Sequence, residues 1–98
     1  MSVLAKRDLT DHFVYIGVDS PAAAERFLTQ AECTFDLLAS SPRIGRVWAS
    51  RRHRLKGVRV AAIQKFPRYL VFYRDTKDGL EVIRVLQGAR GLHHALGQ

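Results

Sequence analysis

Three runs decide the fold: Val58-Arg59-Val60-Ala61-Ala62-Ile63, then Tyr69-Leu70-Val71-Phe72-Tyr73-Arg74, then Leu80-Glu81-Val82-Ile83-Arg84-Val85-Leu86. Each is short and rich in β-branched or aromatic residues, and each is bounded by turn formers, which is how strands read. Phe66-Pro67-Arg68 breaks the first run from the second. Asp75-Thr76-Lys77-Asp78-Gly79 separates the second from the third and closes on Asp-Gly. Links this short predict an antiparallel meander. Apolar residues on both faces of the last two strands place those strands centrally and largely out of water.

Upstream of Gly57 the apolar period is helical. Leu9, Phe13 and Ile16 fall at i, i+4 and i+7, which predicts a helix from about Lys6 to Val18. Asp8 and Asp11 sit in its early turns, where carboxylates suit the positive end of the helix dipole. Ser2–Leu4, ahead of it, suits an edge strand. Ser20 reads as an N-cap and Pro21 as the first residue of a second helix. Ala24, Phe27, Leu28, Ala31, Phe35 and Leu38 then mark its buried stripe, and Ser40-Ser41-Pro42 its end. Two amphipathic helices joined this tightly form an antiparallel hairpin. The predicted class is therefore α+β: an N-terminal antiparallel helical hairpin packed on one face of a small antiparallel β-sheet. Leu9, Phe13, Ile16, Phe27, Leu28, Phe35 and Leu38 are its core by spacing. Residues 43–57 carry little periodicity; Gly45 and Gly57 mark turns, and Trp48 reads as an anchor holding this loop to the core. Leu92–Leu96 allows a helical turn after the sheet closes.

At 98 residues the chain is one domain, and 47% hydrophobic residues suffice for one core. A single cysteine, Cys33, excludes an intrachain disulfide, and with no secretory signal a reducing cytoplasm is the expected compartment. Cys33 has no evident catalytic partner and reads as a small helix residue. No apolar run approaches the roughly 18 residues of a membrane span. His12, His53, His93 and His94 show no metal-ligand spacing, and no cofactor is implied.

Charge is segregated. Residues 1–36 hold three basic and six acidic side chains, whereas residues 37–74 hold ten basic and no acidic ones. Residues 75–98 balance, so the formal charge of +7 comes from the middle. A solvated surface is usually mixed in sign. This run (Arg43, Arg46, Arg51, Arg52, Arg54, Lys56, Arg59, Lys65, Arg68, Arg74) therefore reads as a docking surface for phosphate or carboxylate, whether on nucleic acid or on an acidic protein.

The order of these pieces resembles the RelE/ParE superfamily of bacterial type II toxin–antitoxin toxins, the ParE branch in particular. The resemblance is carried by Asp8-Leu9 through Tyr15-Ile16, by Ser20-Pro21-Ala22-Ala23-Ala24 with Phe27-Leu28, and by Ser41-Pro42-Arg43-Ile44-Gly45. Phe66 to Arg74 and Glu81-Val82-Ile83-Arg84-Val85-Leu86-Gln87-Gly88-Ala89-Arg90 complete it. It implies a compact toxin held inactive by a cognate antitoxin (ParD-like or similar) whose acidic C-terminal tail folds into the toxin's apolar grooves.

Superfamily members divide by activity. A ribosome-dependent mRNA endoribonuclease must activate a ribose hydroxyl, stabilise phosphate charge and protonate a leaving oxygen. Here arginines abound, but residues 37–74 hold no carboxylate. Gln87 stands where such relatives often have a His or Tyr, and an amide cannot act as a general acid. His53 lies among arginines and reads as a surface histidine. The ParE branch implies instead a non-catalytic toxin that binds DNA gyrase, with DNA contact through the trapped complex. Ribosome and mRNA remain the alternative partners, and a plain nucleic-acid-binding module a third class.

Arg59, Arg74 and Arg84 lie on three successive predicted strands, where charge amid apolar neighbours is costly unless it reaches a rim or a partner. With Gln87 and Arg90 they are the expected target-binding set, clustered on the side or rim of the sheet away from the helices. An internal pair with Glu81 is the alternative for one of them. Arg68 and Trp48 are the expected antitoxin contacts. Tyr69 and Tyr73 read as packing residues.

Overall fold

A computed structural model describes residues 1–48 and 56–88 of the chain. Helix α1 spans Val3–Asp19 and α2 Pro21–Ser40; the strands are β1 Arg46–Val47, β2 Arg59–Ile63, β3 Phe66–Thr76 and β4 Gly79–Gln87. The sheet is antiparallel throughout, in the order β1-β2-β3-β4, with the helical hairpin on one face. This is the α+β arrangement the sequence predicts, with three changes besides the place of β4, which is an edge strand and not a central one.

The first concerns Ser2–Leu4, which is not an edge strand. Ser2 alone is extended, and its hydroxyl accepts the Ala5 N–H at 3.0 Å, so the helix starts at Val3. The same serine gives its backbone N–H to the Val82 carbonyl (2.9 Å) and its hydroxyl to the Ile83 carbonyl (2.6 Å). A capping serine thus supplies the strand-like contact that the apolar start suggests, while Leu4 already belongs to the helix.

The second concerns Phe66-Pro67-Arg68, which begins β3 and does not interrupt the sheet. The break falls at Gln64-Lys65, with Lys65 at φ 68°. Proline is accommodated because the β2 register jumps from Ile63↔Phe66 to Ala62↔Leu70, leaving Pro67 unpaired on that side. On the other side pairing with β4 begins only at Tyr69↔Gln87. Buried Thr34 of α2 holds the turn: its hydroxyl donates to Gln30 (2.7 Å) and accepts the Gln64 N–H (3.1 Å).

The third is a fourth strand. Arg46 pairs with Val60 and Val47 with Arg59, and the Trp48 N–H reaches the Val58 carbonyl at 2.8 Å. Two residues are too few to show a period in the sequence. The C-terminal helical turn expected at Leu92–Leu96 lies outside the described residues.

The core between helices and sheet is built on Ala5, Phe27, Ala31, Leu38, Ile63, Val71, Tyr73, Val82 and Val85. Leu9, Ile16, Leu28 and Phe35 pack against it half-buried, and Phe13 is half-buried too. A smaller cluster of Val58, Val60 and Phe72, with Trp48, Leu70, Ile83 and Leu86, covers the other face. Trp48 packs edge-on against Phe72 at 5.4 Å between ring centroids, which is the anchoring role its sequence context suggests.

Candidate functional site

The register brings Arg59, Arg74 and Arg84 into one band across three strands: Arg59 opposite Tyr73, Arg74 opposite Glu81, Arg84 opposite Phe72. Their side chains then part. Each finds an acceptor within the protein, so they do not converge on one cleft.

Arg84 is bound hardest. Its Nε donates to Asp8 Oδ2 at 2.8 Å and its Nη2 to Asp8 Oδ1 at 2.9 Å, a two-point fork between the last strand and the first helix. Asp8 Oδ2 also accepts the Val85 N–H at 3.0 Å. The hydrogen bond to Asp8 raises the Arg84 pKa, desolvation works against this, and the Asp8 charge adds to the rise. Asp8 is buried in the second turn of α1, so its role is to answer Arg84 and the β4 backbone; the dipole role read from the sequence does not apply.

Arg59 Nη1 donates to the Gly45 carbonyl at 2.7 Å. That carbonyl is placed by Tyr73, whose buried hydroxyl donates to Pro42 O (2.7 Å) and accepts the Gly45 N–H (2.8 Å). Gly45 must be glycine here, because an added Cβ would overlap the Tyr73 ring. One phenol and one guanidinium thereby fasten the turn that leads into the basic segment. Arg74 Nη1 lies 3.7 Å from Glu81 Oε1, so the internal pair with Glu81 is realised at this position.

Gln87 sits apart from the arginine band, opposite Tyr69 at the other end of β3 and near Arg68, whose carbonyl accepts the Gly88 N–H. Arg68 and Arg74 are six residues apart along β3, about 20 Å in an extended strand. Near Gln87, the His12 ring donates through Nε2 to the Val85 carbonyl at 2.7 Å and packs edge-on to Tyr69, with 4.8 Å between centroids. Burial raises the Tyr69 pKa, Tyr15 raises it further, and Arg68 partly offsets both. Tyr69 and Tyr73 are both buried, as packing residues should be. Arg90, His53, His93 and His94 lie outside the described residues.

Beyond β1 the outer edge of β2 opens into a groove of about 500 Å³, lined by Leu37, Ile44, Arg46, Ala61, Ala62 and Leu70 among others. Arg43, Arg46, Lys56, Lys65 and Arg68 are exposed. Among the described residues no group of three His, Cys, Asp or Glu side chains could hold a metal ion, and no helix is long and apolar enough to cross a membrane.

Sequence reasoning missed Asp8, His12, Ser2 and the Tyr73–Gly45 clasp. Asp8 and His12 were discoverable. They stand beside Leu9 and between Ala5 and Ile16 on the buried stripe of α1, where a polar side chain requires a partner, and Arg84 on an apolar strand requires one too. The Tyr73 clasp left no such trace, since a tyrosine in a strand is adequately explained by packing.

A family model for the ParE toxin of the type II toxin–antitoxin system parDE matches residues 1–92. The chain belongs to this family. No curated protein matches the sequence. Membership makes the protein a type II toxin and implies a cognate antitoxin.

Proposed function

We propose that the toxin acts by binding, with DNA gyrase as its target, and that it carries no catalytic residues of its own. One observation supports this above the others. Among the described residues, the titratable groups that contact Val85 and Arg84 or pair with Gln87 are committed to the fold: His12 donates to a backbone carbonyl, Tyr69 is buried with a raised pKa, and Asp8 is forked by Arg84. Cleavage of RNA needs a base and an acid free to exchange protons with substrate. Fixed guanidinium charge serves instead to hold an acidic protein surface or the DNA beside it. In this reading Arg59, Arg74 and Gln87 are separate contacts for the gyrase complex, joined by Arg90 from outside the described residues, and Arg84 holds β4 in place through its Asp8 anchor. The antitoxin's acidic tail lies in the groove beside β2, where Leu37, Ile44 and Leu70 take apolar side chains and Arg46 takes charge. Arg68 and Trp48 flank its path.

The deciding experiment pairs two assays on the purified toxin: supercoiling by gyrase, and cleavage of mRNA on translating ribosomes. Inhibited supercoiling with accumulated cleaved DNA, and intact mRNA, is the expected result. Codon-spaced mRNA cuts with unaffected gyrase would establish the endoribonuclease reading instead.

A further inference from the structure

The two helices differ on their outer faces. Along α2 the exposed residues include Glu25, Arg26, Glu32 and Asp36, an ordinary solvated surface. Along α1 they are Val3 (74% exposed), Leu4 (48%), Val14 (59%), Tyr15 (65%) and Val18 (80%). At 100° per residue these five fall within an arc of about 120° on the side opposite Leu9 and Ile16. Helix α1 is therefore apolar on both sides, and among the described residues only one side is covered.

Two charges lie inside the same arc. Arg7 and Asp11 are exposed, one turn apart near its midline, and neither has an ion-pair partner among the described residues. Their arrangement is self-complementary. Two copies of α1 laid antiparallel about a two-fold axis level with Leu9 place Arg7 of each against Asp11 of the other. The same operation lays Val3 and Leu4 of one copy against Val14 and Tyr15 of its mate. Apolar pairs flank a central double ion pair, the pattern of an isologous interface.

We propose that the outer face of α1 is a homodimer interface of the toxin, with a second copy of this chain as its occupant. The charge distribution favours that occupant. An acidic tail would meet Asp11 with like charge, whereas a second copy satisfies both charges at once. The contact also lies in the part of the chain that carries no excess positive charge, since residues 1–36 hold three basic and six acidic side chains. A 17-residue helix is only about 25 Å long. The interface is accordingly small, and association falls in the micromolar range.

The test uses the full chain, separated from its antitoxin and refolded, with mass measured by sedimentation across about 1–100 μM, a range that brackets micromolar association. The wild type should move from monomer to dimer mass over this range. Arg7→Glu and Asp11→Lys should each remain monomeric, because each places like charges across the two-fold axis. An equimolar mixture of the two variants should regain the dimer, because one then offers only carboxylates and the other only cations at the two positions. Circular dichroism checks that both variants keep the wild-type helix content. A wild type that stays monomeric overturns the proposal, as do single variants that dimerise normally or a mixture that fails to dimerise. Loss of antitoxin capture by Arg7→Glu with no change in self-association assigns the face to the antitoxin and equally overturns it.

Discussion

At the β4 edge, Ser2 and helix α1 supply partners for the backbone that faces away from β3: Ser2 takes Val82 and Ile83, Asp8 takes the Val85 N–H and His12 the Val85 carbonyl. At the β2 edge, β1 covers Arg59 and Val60 and then stops at Arg46. The chain turns away through Gly45, and the strand alternation set by Trp48 and Val58 leaves the Ala62 N–H and carbonyl pointing outward. Sheet edges are templates for further strands, and proteins blunt them when no partner is wanted. Among the described residues, one edge is sealed by Ser2 and by two side chains of α1, and the other is left partly open beside an apolar groove. One edge serves the fold, and in the proposed reading the other takes the antitoxin.

Removing the seal should have the largest effect. Asp8→Ala deletes three accepted hydrogen bonds and strands Arg84 and the Val85 N–H, so a loss of about 3 kcal/mol is expected. Chemical denaturation would measure it; a loss below about 1 kcal/mol would mean that solvent replaces the carboxylate and that the β4 edge is not sealed in the sense argued. Tyr73→Phe tests the open side, where one hydroxyl holds the turn before β1. It should cost about 1–2 kcal/mol, and amide exchange should quicken at Gly45 more than at Val85. Equal acceleration at both would place the clasp in the global core and remove its local role. The smallest effect sharpens the contrast most. Ala62→Pro removes an N–H that faces the open edge, and should cost less than about 1 kcal/mol while blocking any strand that adds there. Weakened antitoxin binding with a near-normal melting transition is the expected outcome, and full antitoxin affinity would show that the tail does not pair with β2.

The elements themselves were legible because their periods are strong. Six apolar positions of α2 recur at helical spacing, and the aromatic and β-branched runs of β3 and β4 are bounded by turn residues. Strand β1 was not legible, since it is two residues long and is held by a clasp from Tyr73, 28 residues away from Gly45. The site was read less well for a related reason. Arg59, Arg74 and Arg84 were correctly placed on consecutive strands, but composition cannot say which acceptor each guanidinium will find. Arg84 meets a carboxylate 76 residues away, and Arg59 a backbone carbonyl whose position depends on a phenol. The Glu81 partner of Arg74 was visible because it sits just across a short hairpin, where strand pairing is predictable from the turn. Local pairings can be read from spacing; those that close the chain end to end cannot.

That long-range closure also sets when the fold can be completed. Ser2, Asp8 and His12 are made before the strand they fasten, which follows 73 to 81 positions later. Contacts of such separation form slowly and only once both ends are present. A growing chain, or one cut short before Val85, therefore lacks the bonds that hold α1 to the sheet. Docking of α1 on the sheet waits until β4 has been made, and the β4 edge stays unsealed until then.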